Sequence, residues 1–369
     1  ALDTQTTADD NVAVGYYALT ANTTGTGNVG VGNSALDSNT TASNVTAVGY
    51  RALYSNTTGA SNTAFGKSAL DANTTGEQNV AVGHNALVLS TTANNNTAVG
   101  YSALFYNTTG TRNVAIGMNA LTANTTANDN VAVGNNALDA NTTGAQNVAL
   151  GYNTLGANTT TSSNTAIGHK ALEVATADNN TAVGRESLQD TTTGGSNTAM
   201  GYKAGNSNTT GDANTWIGYD AGEENTTGGS NTAVGHSALR EVTTASKNTA
   251  LGRSAAANIS TSHNVTALGW YALADVTGSG VSESVFVGAE AGRNADAANK
   301  SVIIGFKAGK TITGGDDHVA VGYHALGEGT CTGQSNTAVG AYALRVNTSG
   351  EHNVALGKSS QYATTTGYT

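Results

Sequence analysis

The sequence predicts an all-β fold, a repetitive parallel β-solenoid or β-roll of about 21 coils of 17 residues. The first observation behind this is a glycine that follows an apolar residue and returns every seventeen residues: Gly15, Gly32, Gly49, Gly66, Gly83, Gly100, Gly117, Gly134, Gly151 and Gly168. After a step of sixteen it continues at Gly184, Gly201, Gly218, Gly235, Gly252 and Gly269. Steps of nineteen, seventeen, seventeen, eighteen and seventeen then lead to Gly288, Gly305, Gly322, Gly340 and Gly357. The second is composition: 47 glycines, no proline, and a bulk of Asn, Thr, Ala, Gly and Val that suits stacked strands joined by tight turns. The third is the absence of any window that holds helical periodicity for three turns. One unit of seventeen residues is too short to fold alone and buries its apolar side only against its neighbours.

Length by itself suggests two or three globular domains, but the repeat overrules that. Charged residues are 11%, against roughly 25% in an ordinary domain. Disordered chains are rich in charge and proline, and this one has neither. The net charge of -10 is spread thinly with no basic stripe, which excludes nucleic acid as a partner. No apolar run reaches the roughly 18 residues of a membrane span, so no membrane insertion is expected. Cys331 is the only cysteine, so no intrachain disulfide forms. The start at Ala1-Leu2-Asp3, without methionine or an apolar leader, reads as a processed or partial product.

With the punctuating glycine as position zero, the coil reads Asn, Thr/Val, Ala, Val/Ile/Leu, Gly, Tyr, x, Ala, Leu, x, x, Asn, Thr, Thr, Gly, x, x. The copy from Asn96 to Gly110 follows it closely. The β-branched stretch before the glycine predicts a strand of four or five residues. Ala-Leu-x-x-Asn allows at most one helical turn. Asn-Thr-Thr-Gly is turn chemistry, in which Asn bonds its own backbone and Gly is expected to take positive φ.

Strand alternation assigns the faces. The residue two before the glycine (Ala13, Ala47, Ala64, Ala81) points one way, and its neighbours (Val12 and Val14, Val114 and Ile116) point the other. Trp216, Phe286 and Ile303 replace that alanine, and in the same coils Gly222, Gly292 and Gly309 replace the usual leucine. Large-for-small matched by small-for-large is what a packed interior requires. Alanine and leucine therefore face each other inside the coil, with Gly205 as further room for the Trp216 indole.

The residue before each glycine then faces outward and is apolar in every copy, as at Val14, Val48, Val82, Val99, Ile116 and Val133. At ~4.8 Å per coil this is a continuous apolar strip of about 100 Å, which should not face water on a monomer. The expected remedy is self-association along the length as a homotrimer. Asn11, Asn28, Asn62, Asn79, Asn96, Asn113 and Asn130, four before the glycine, should bond from coil to coil. The chain divides into a lead-in at 1–10, regular repeats at 11–275, irregular repeats with small insertions at 276–335, and last repeats with a tail at 336–369.

Val12-Ala13-Val14-Gly15 and Val114-Ala115-Ile116-Gly117, each with alanine three residues on, resemble the head repeats of YadA-like trimeric autotransporter adhesins. The longer unit from Asn96 to Gly110, and the variants Tyr202 to Gly205 and Tyr219 to Gly222, are similar to the repeats of phage tail-fibre-domain proteins. The resemblance covers about residues 8 to 360 and implies a trimeric, left-handed parallel β-roll, a fibre shaft or adhesive head on a virion tail or cell surface. The coil is longer than the adhesin head unit, and the self-cleaving chaperone domain, stalk and membrane anchor of those families are not in this sequence.

Candidate chemistry is sparse. Gly25-Thr26-Gly27-Asn28-Val29-Gly30 spells a dinucleotide fingerprint but lacks the helix such a site opens, so it reads as turn and strand glycines of adjoining coils. His84, His169 and His236 take the tyrosine position and read as polar substitutes; an ion shared by three copies of one of them is the alternative. Carboxylates such as Asp37, Asp71, Asp139 and Glu77 scatter over variable positions, so no catalytic residue and no metal site is assigned. The calcium-roll repeat is missing, and no cofactor is expected.

The column Tyr16, Tyr50, Tyr101, Tyr152, Tyr202, Tyr219 and Tyr323 has two readings: cover for the seam between subunits, or a glycan-contacting row at Tyr50, Tyr101, Tyr152, Tyr202 and Tyr219. Asn-Thr-Thr at Asn22, Asn39, Asn56, Asn73, Asn107, Asn124, Asn141, Asn158, Asn208 and Asn225 is formally an N-glycosylation acceptor, read here as turn chemistry. The insertions around Thr277 to Val281 and Thr330-Cys331-Thr332 should loop outward, with Cys331 a free thiol. The sequence thus points to a non-enzymatic, extracellular trimeric fibre protein, its partners being itself and a surface glycan or receptor. The competing readings are a polysaccharide-binding or depolymerising tailspike and an ice-binding solenoid.

Overall fold

The computed structural model describes residues 7–276 and 280–364, and the chain forms two compact units, residues 1–180 and 181–369. The boundary falls where the repeat takes its sixteen-residue step, between Gly168 and Gly184. Among the described residues the first unit has ten parallel strands of three residues, from Val12–Val14 to Thr165–Ile167. The second has eleven of the same kind, from Thr181–Val183 to Val354–Leu356, and a short pair, Val346–Asn347 with Ala363–Thr364. Each unit is therefore a stack of coils, a parallel β-solenoid with no helix among the described residues.

Pairing joins identical positions of successive coils. Val12, Ala13 and Val14 pair with Val29, Gly30 and Val31. Trp216 pairs with Ala199 before it and Ala233 after it. Register is fixed because a slip of one residue would turn every alanine outward and every valine inward. Stacking bonds also continue beyond the strands: Leu19 N–H donates to Ala35 O at 3.1 Å and Thr23 N–H to Thr40 O at 2.9 Å. The whole perimeter of the coil thus satisfies its backbone on its neighbours.

The strands are shorter than the four or five residues expected. At the front, the asparagine four before the glycine bonds through its side chain: Asn28 N–H donates to Asn11 Oδ1 at 2.8 Å. At the back, the punctuating glycine bends the chain at φ +128 to +142 in all but the last coil. A Cβ at Gly66 would also lie 2.5 Å from the carbonyl oxygen of Gly83, one coil on. Dihedral and stacking both demand glycine there.

Positive φ falls elsewhere than expected. The turn glycines Gly25, Gly59, Gly76 and Gly110 do not have it. They are small because a Cβ would run into the carbonyl of the next coil. The left-handed conformation belongs instead to the residue five before the glycine, such as Asn44 and Ser61, to the residue two after it, such as Tyr17 and Arg51, and to the leucine, with Leu19 at φ 52 and Leu104 at φ 51. This rules out a helical turn over Ala-Leu-x-x-Asn. A left-handed non-glycine residue costs roughly 1–2 kcal/mol. Complete burial of the leucine offsets this, being worth about 1.5–3 kcal/mol, and the conformation also turns its N–H along the stack.

The interior includes two apolar files that face each other. Ala47, Ala64, Ala81 and their equivalents have no exposure, nor have Leu19, Leu36, Leu53 and Leu70. Trp216 and Phe286 are fully buried in the alanine file. A Cβ at Gly205 would lie 2.5 Å from Trp216 Cδ1, and one at Gly292 would overlap the Phe286 ring.

The second insertion does not loop outward. Cys331 is fully buried and bridges Ile312, with Thr313 N–H donating to its carbonyl at 2.9 Å. It is a free thiol, and burial pushes its pKa up to about 11. In the first insertion, Thr277, Gly278 and Ser279 lie outside the described residues; Gly280 bridges Ala297, and Val281 is buried.

Candidate functional site

Four surfaces of the coil could meet a partner. The first is the outward side of the strands, made of the residues three and one before each glycine. Val14, Phe65, Leu251 and Leu356 are exposed there, while Val48, Val82, Val99 and Val133 are partly exposed. Alternation forces this, since the alanine between them is committed to the interior. The position three before the glycine is Val in 10 copies and Thr in 11, and the position one before it is apolar in all 21. Not one of these side chains is charged.

The second surface is the aromatic column after the glycine. Stacking sets its spacing, so rings one coil apart meet face to face. Tyr202 and Tyr219 lie 5.0 Å apart at 21°, and Tyr219 and His236 lie 5.0 Å apart at 11°. His169 stacks on Tyr152 at 5.4 Å, and His84 leans on Tyr101 at the same distance. Arg185 caps Tyr202 from the other side at 5.8 Å. The histidines therefore act as rings within the column. Tyr219 has both faces covered, and Tyr101, Tyr152 and Tyr202 have at least one covered. What this column offers a sugar is ring edges and phenol hydroxyls more than open faces. Tyr50 is exposed and lies between Asn33 and Lys67 in the column.

The third surface is the turn, and most of it points inward. Asn22, Asn39, Asn56, Asn73, Asn107, Asn124, Asn141, Asn158, Asn208 and Asn225 are all fully buried. Asn39 Nδ2 donates to Asn22 Oδ1 at 2.9 Å and to Ala42 O at 3.2 Å, and the pattern repeats along the file. An N-linked sugar would have to replace a proton on that same nitrogen. In the folded chain these acceptor sequences are closed. The first threonine of each turn also spends its hydroxyl on stacking, Thr23 Oγ1 on Thr40 O at 3.0 Å. The second threonine, as at Thr24, Thr41 and Thr58, is exposed, in a single file.

Charge collects on a separate strip at the positions two and five after the glycine, and again on the turn at five and six before it, where Arg112 pairs with Asp129 at 2.6 Å. Arg51 pairs with Asp71 at 2.9 Å and Lys203 with Glu223 at 3.3 Å, each linking the second position of one coil to the fifth of the next. Glu290 is surrounded by Arg293 at 3.5 Å, Lys310 at 3.4 Å and Lys307 at 3.9 Å. Burial works to raise the Glu290 carboxyl, but the bond from Lys310 and the charges around it outweigh that and hold it below the usual carboxylate range. In the sequence these residues occupy x positions and look scattered; stacking gathers them.

Among the described residues no group of three His, Cys, Asp or Glu side chains is placed to hold a metal ion, and no helix is long and apolar enough to cross a membrane. No family model and no curated protein matches this chain.

Proposed function

We propose that the chain is a structural, non-enzymatic subunit of a homotrimeric extracellular fibre, the shaft or head of a phage tail fibre or surface adhesin. The observation that carries this is the absence of charge from the outward side of the strands. Two outward positions in each of 21 strands make 42 side chains, all apolar or threonine, in a chain with 15 basic and 25 acidic residues. Water-facing strands normally alternate apolar with charged or polar residues. A face kept free of charge over every coil suits burial against another copy, because an unpaired charge there would cost several kcal/mol. The number three comes from the resemblance of the repeat to trimeric adhesin heads. In this reading the aromatic column edges the seam between subunits, and the charged strip faces outward, where a fibre would meet a receptor or surface glycan.

Light scattering after size exclusion tests the reading. The expected mass is three times the 36.7 kDa of one chain. Val99→Asp and Val133→Asp together should release folded monomers. A wild-type monomer with its β-structure intact would reject the proposal.

A further inference from the structure

Gly156 has no backbone reason to be glycine. The other glycines of the first unit, all among the described residues, either have positive φ or would bring a Cβ within 3.3 Å of a neighbouring atom. At Gly156 φ is not positive, and a Cβ would meet only Asn153 O at 3.6 Å, Asp139 Oδ1 at 3.7 Å and Glu173 O at 3.7 Å. Those are ordinary contacts. Other coils of the first unit carry full side chains at the same position, five after the punctuating glycine: Tyr54, Asp71, Val88, Phe105 and Thr122, with Asp139 and Glu173 in the two adjoining coils. Omitting a side chain from one coil opens a cleft of about 360 Å³ in the charged strip.

Its lining is Asn136, Asp139, Asn153, Ala157, Glu173 and Val174. Asn153 Nδ2 donates to Glu173 Oε1 at 3.3 Å, and Lys170 pairs with the same oxygen at 3.3 Å, so Glu173 is held as a fixed carboxylate. Burial raises the Asp139 carboxyl above the usual carboxylate range, partly opposed by bonds from its own and the Ala140 N–H. Carboxylates accept hydrogen bonds and side-chain amides both donate and accept. Sugar hydroxyls complement that set, while the Ala157 and Val174 side chains supply a small apolar wall. Two carboxylates on opposite sides of the gap repel uronates, sialates and phosphates. A divalent cation is disfavoured because Lys170 already supplies positive charge beside Glu173.

We infer that this cleft, opened by Gly156 between Asp139 and Glu173, is a binding site for one neutral hexopyranose unit of a glycan. The site lies within one unit of one chain and goes beyond the fibre reading, standing whatever the number of chains. The same position is small in the second unit, at Ala257 and Ala274, where a narrower cleft of about 170 Å³ opens beside Arg240.

Saturation-transfer NMR and calorimetry on the full chain would test this with D-glucose, D-galactose, D-mannose and D-glucuronate. At least one neutral hexose should bind with a Kd of about 1 mM, and Gly156→Phe should weaken it at least about tenfold. Glucuronate should not bind. Phe105 occupies the equivalent place in its own coil, so Gly156→Phe should melt as wild type; if it does not, Gly156→Val, which copies Val88 at that place, replaces it. The inference falls if no hexose binds at about 10 mM, tenfold above the expected Kd. It falls equally if Gly156→Phe binds like wild type, or if calcium chloride alone raises the melting temperature in a manner abolished by Glu173→Gln. Chain mass, read separately, decides the fibre proposal.

Discussion

Trp216 fills the volume that a side chain at position 222 would need: a Cβ on Gly222 would lie 2.5 Å from the indole Cδ2. Gly222 has φ +59, close to the values of the leucines at the same place in other coils, so the backbone would accept leucine and only the indole forbids it. Gly222→Leu alone should therefore destabilise by ~1–3 kcal/mol through overpacking. Trp216→Ala alone should cost about 3–5 kcal/mol through the cavity it leaves. Trp216→Ala combined with Gly205→Leu and Gly222→Leu restores the common coil and should recover most of the loss. Thermal melts of the set check this; additive losses would show that the three positions do not share one space.

Gly66 and Gly156 should respond oppositely to alanine. Gly66→Ala puts a Cβ against the Gly83 carbonyl at φ +142, and a loss of ~3 kcal/mol or more is expected, among the largest for a single methyl. Gly156→Ala meets nothing closer than 3.6 Å and should be neutral or stabilise by ~0.4–1 kcal/mol through the unfolded chain. Denaturant midpoints measured side by side decide it.

The buried asparagine file of the turns is interrupted at Ser90, and Asn73 Oδ1 and Ser90 Oγ have no hydrogen-bond partner among the described residues. The same happens at Asn225 Oδ1, where Val242 follows one coil on. Ser90→Asn should rejoin the file and stabilise by ~1 kcal/mol. Asn124→Ala should do the reverse and cost ~1–3 kcal/mol, since it removes the bond of 2.8 Å to Asn107 Oδ1, both residues being fully buried. Hydrogen exchange of the flanking turns localises both effects.

His318 stands in the other asparagine file, four before Gly322, and is fully buried. Its Nδ1 accepts from Asn336 N–H at 3.4 Å, and its Nε2 has no hydrogen-bond partner among the described residues. Burial lowers its pKa below the ordinary 6.5, although the Gly314 and Gly315 backbone and two aspartates pull upward. A depressed value means that the unfolded chain takes up the proton first. The stability tied to neutral His318 is present above pH 6.5 and is lost as pH falls through the lowered value. His318→Asn should remove that acid sensitivity from the second unit, seen as a flatter dependence of melting temperature on pH between about 6.5 and 4.

Much of the coil was legible because its signals are local. Alternation in Thr97-Ala98-Val99 and the exchange of Phe286 with Gly292 both report which side is inside, and each needs only a few neighbouring residues. Positive φ falls on residues other than those the sequence suggests, for a physical reason. Glycine is the usual occupant of that conformation, yet here Leu104 adopts it while Gly110 does not, because bonding to the next coil sets the backbone. Thr330-Cys331-Thr332 differs in the same way: an extra residue in the repeat predicts a loop, but Cys331 packs inside and bridges Ile312.

The sequence by itself determined the seventeen-residue coil, the strand before each glycine and the pairing of interior volumes, since these follow from period, alternation and size. Only the tertiary structure decided what each file of side chains can do. It buried the turn asparagines and so closed the acceptor sequences, stacked Tyr219 between Tyr202 and His236, and set Asp139 and Glu173 on either side of the gap at Gly156. Those outcomes depend on how the cross-section of the coil bends, because residues seventeen apart become neighbours only once each coil bonds to the next around its whole perimeter.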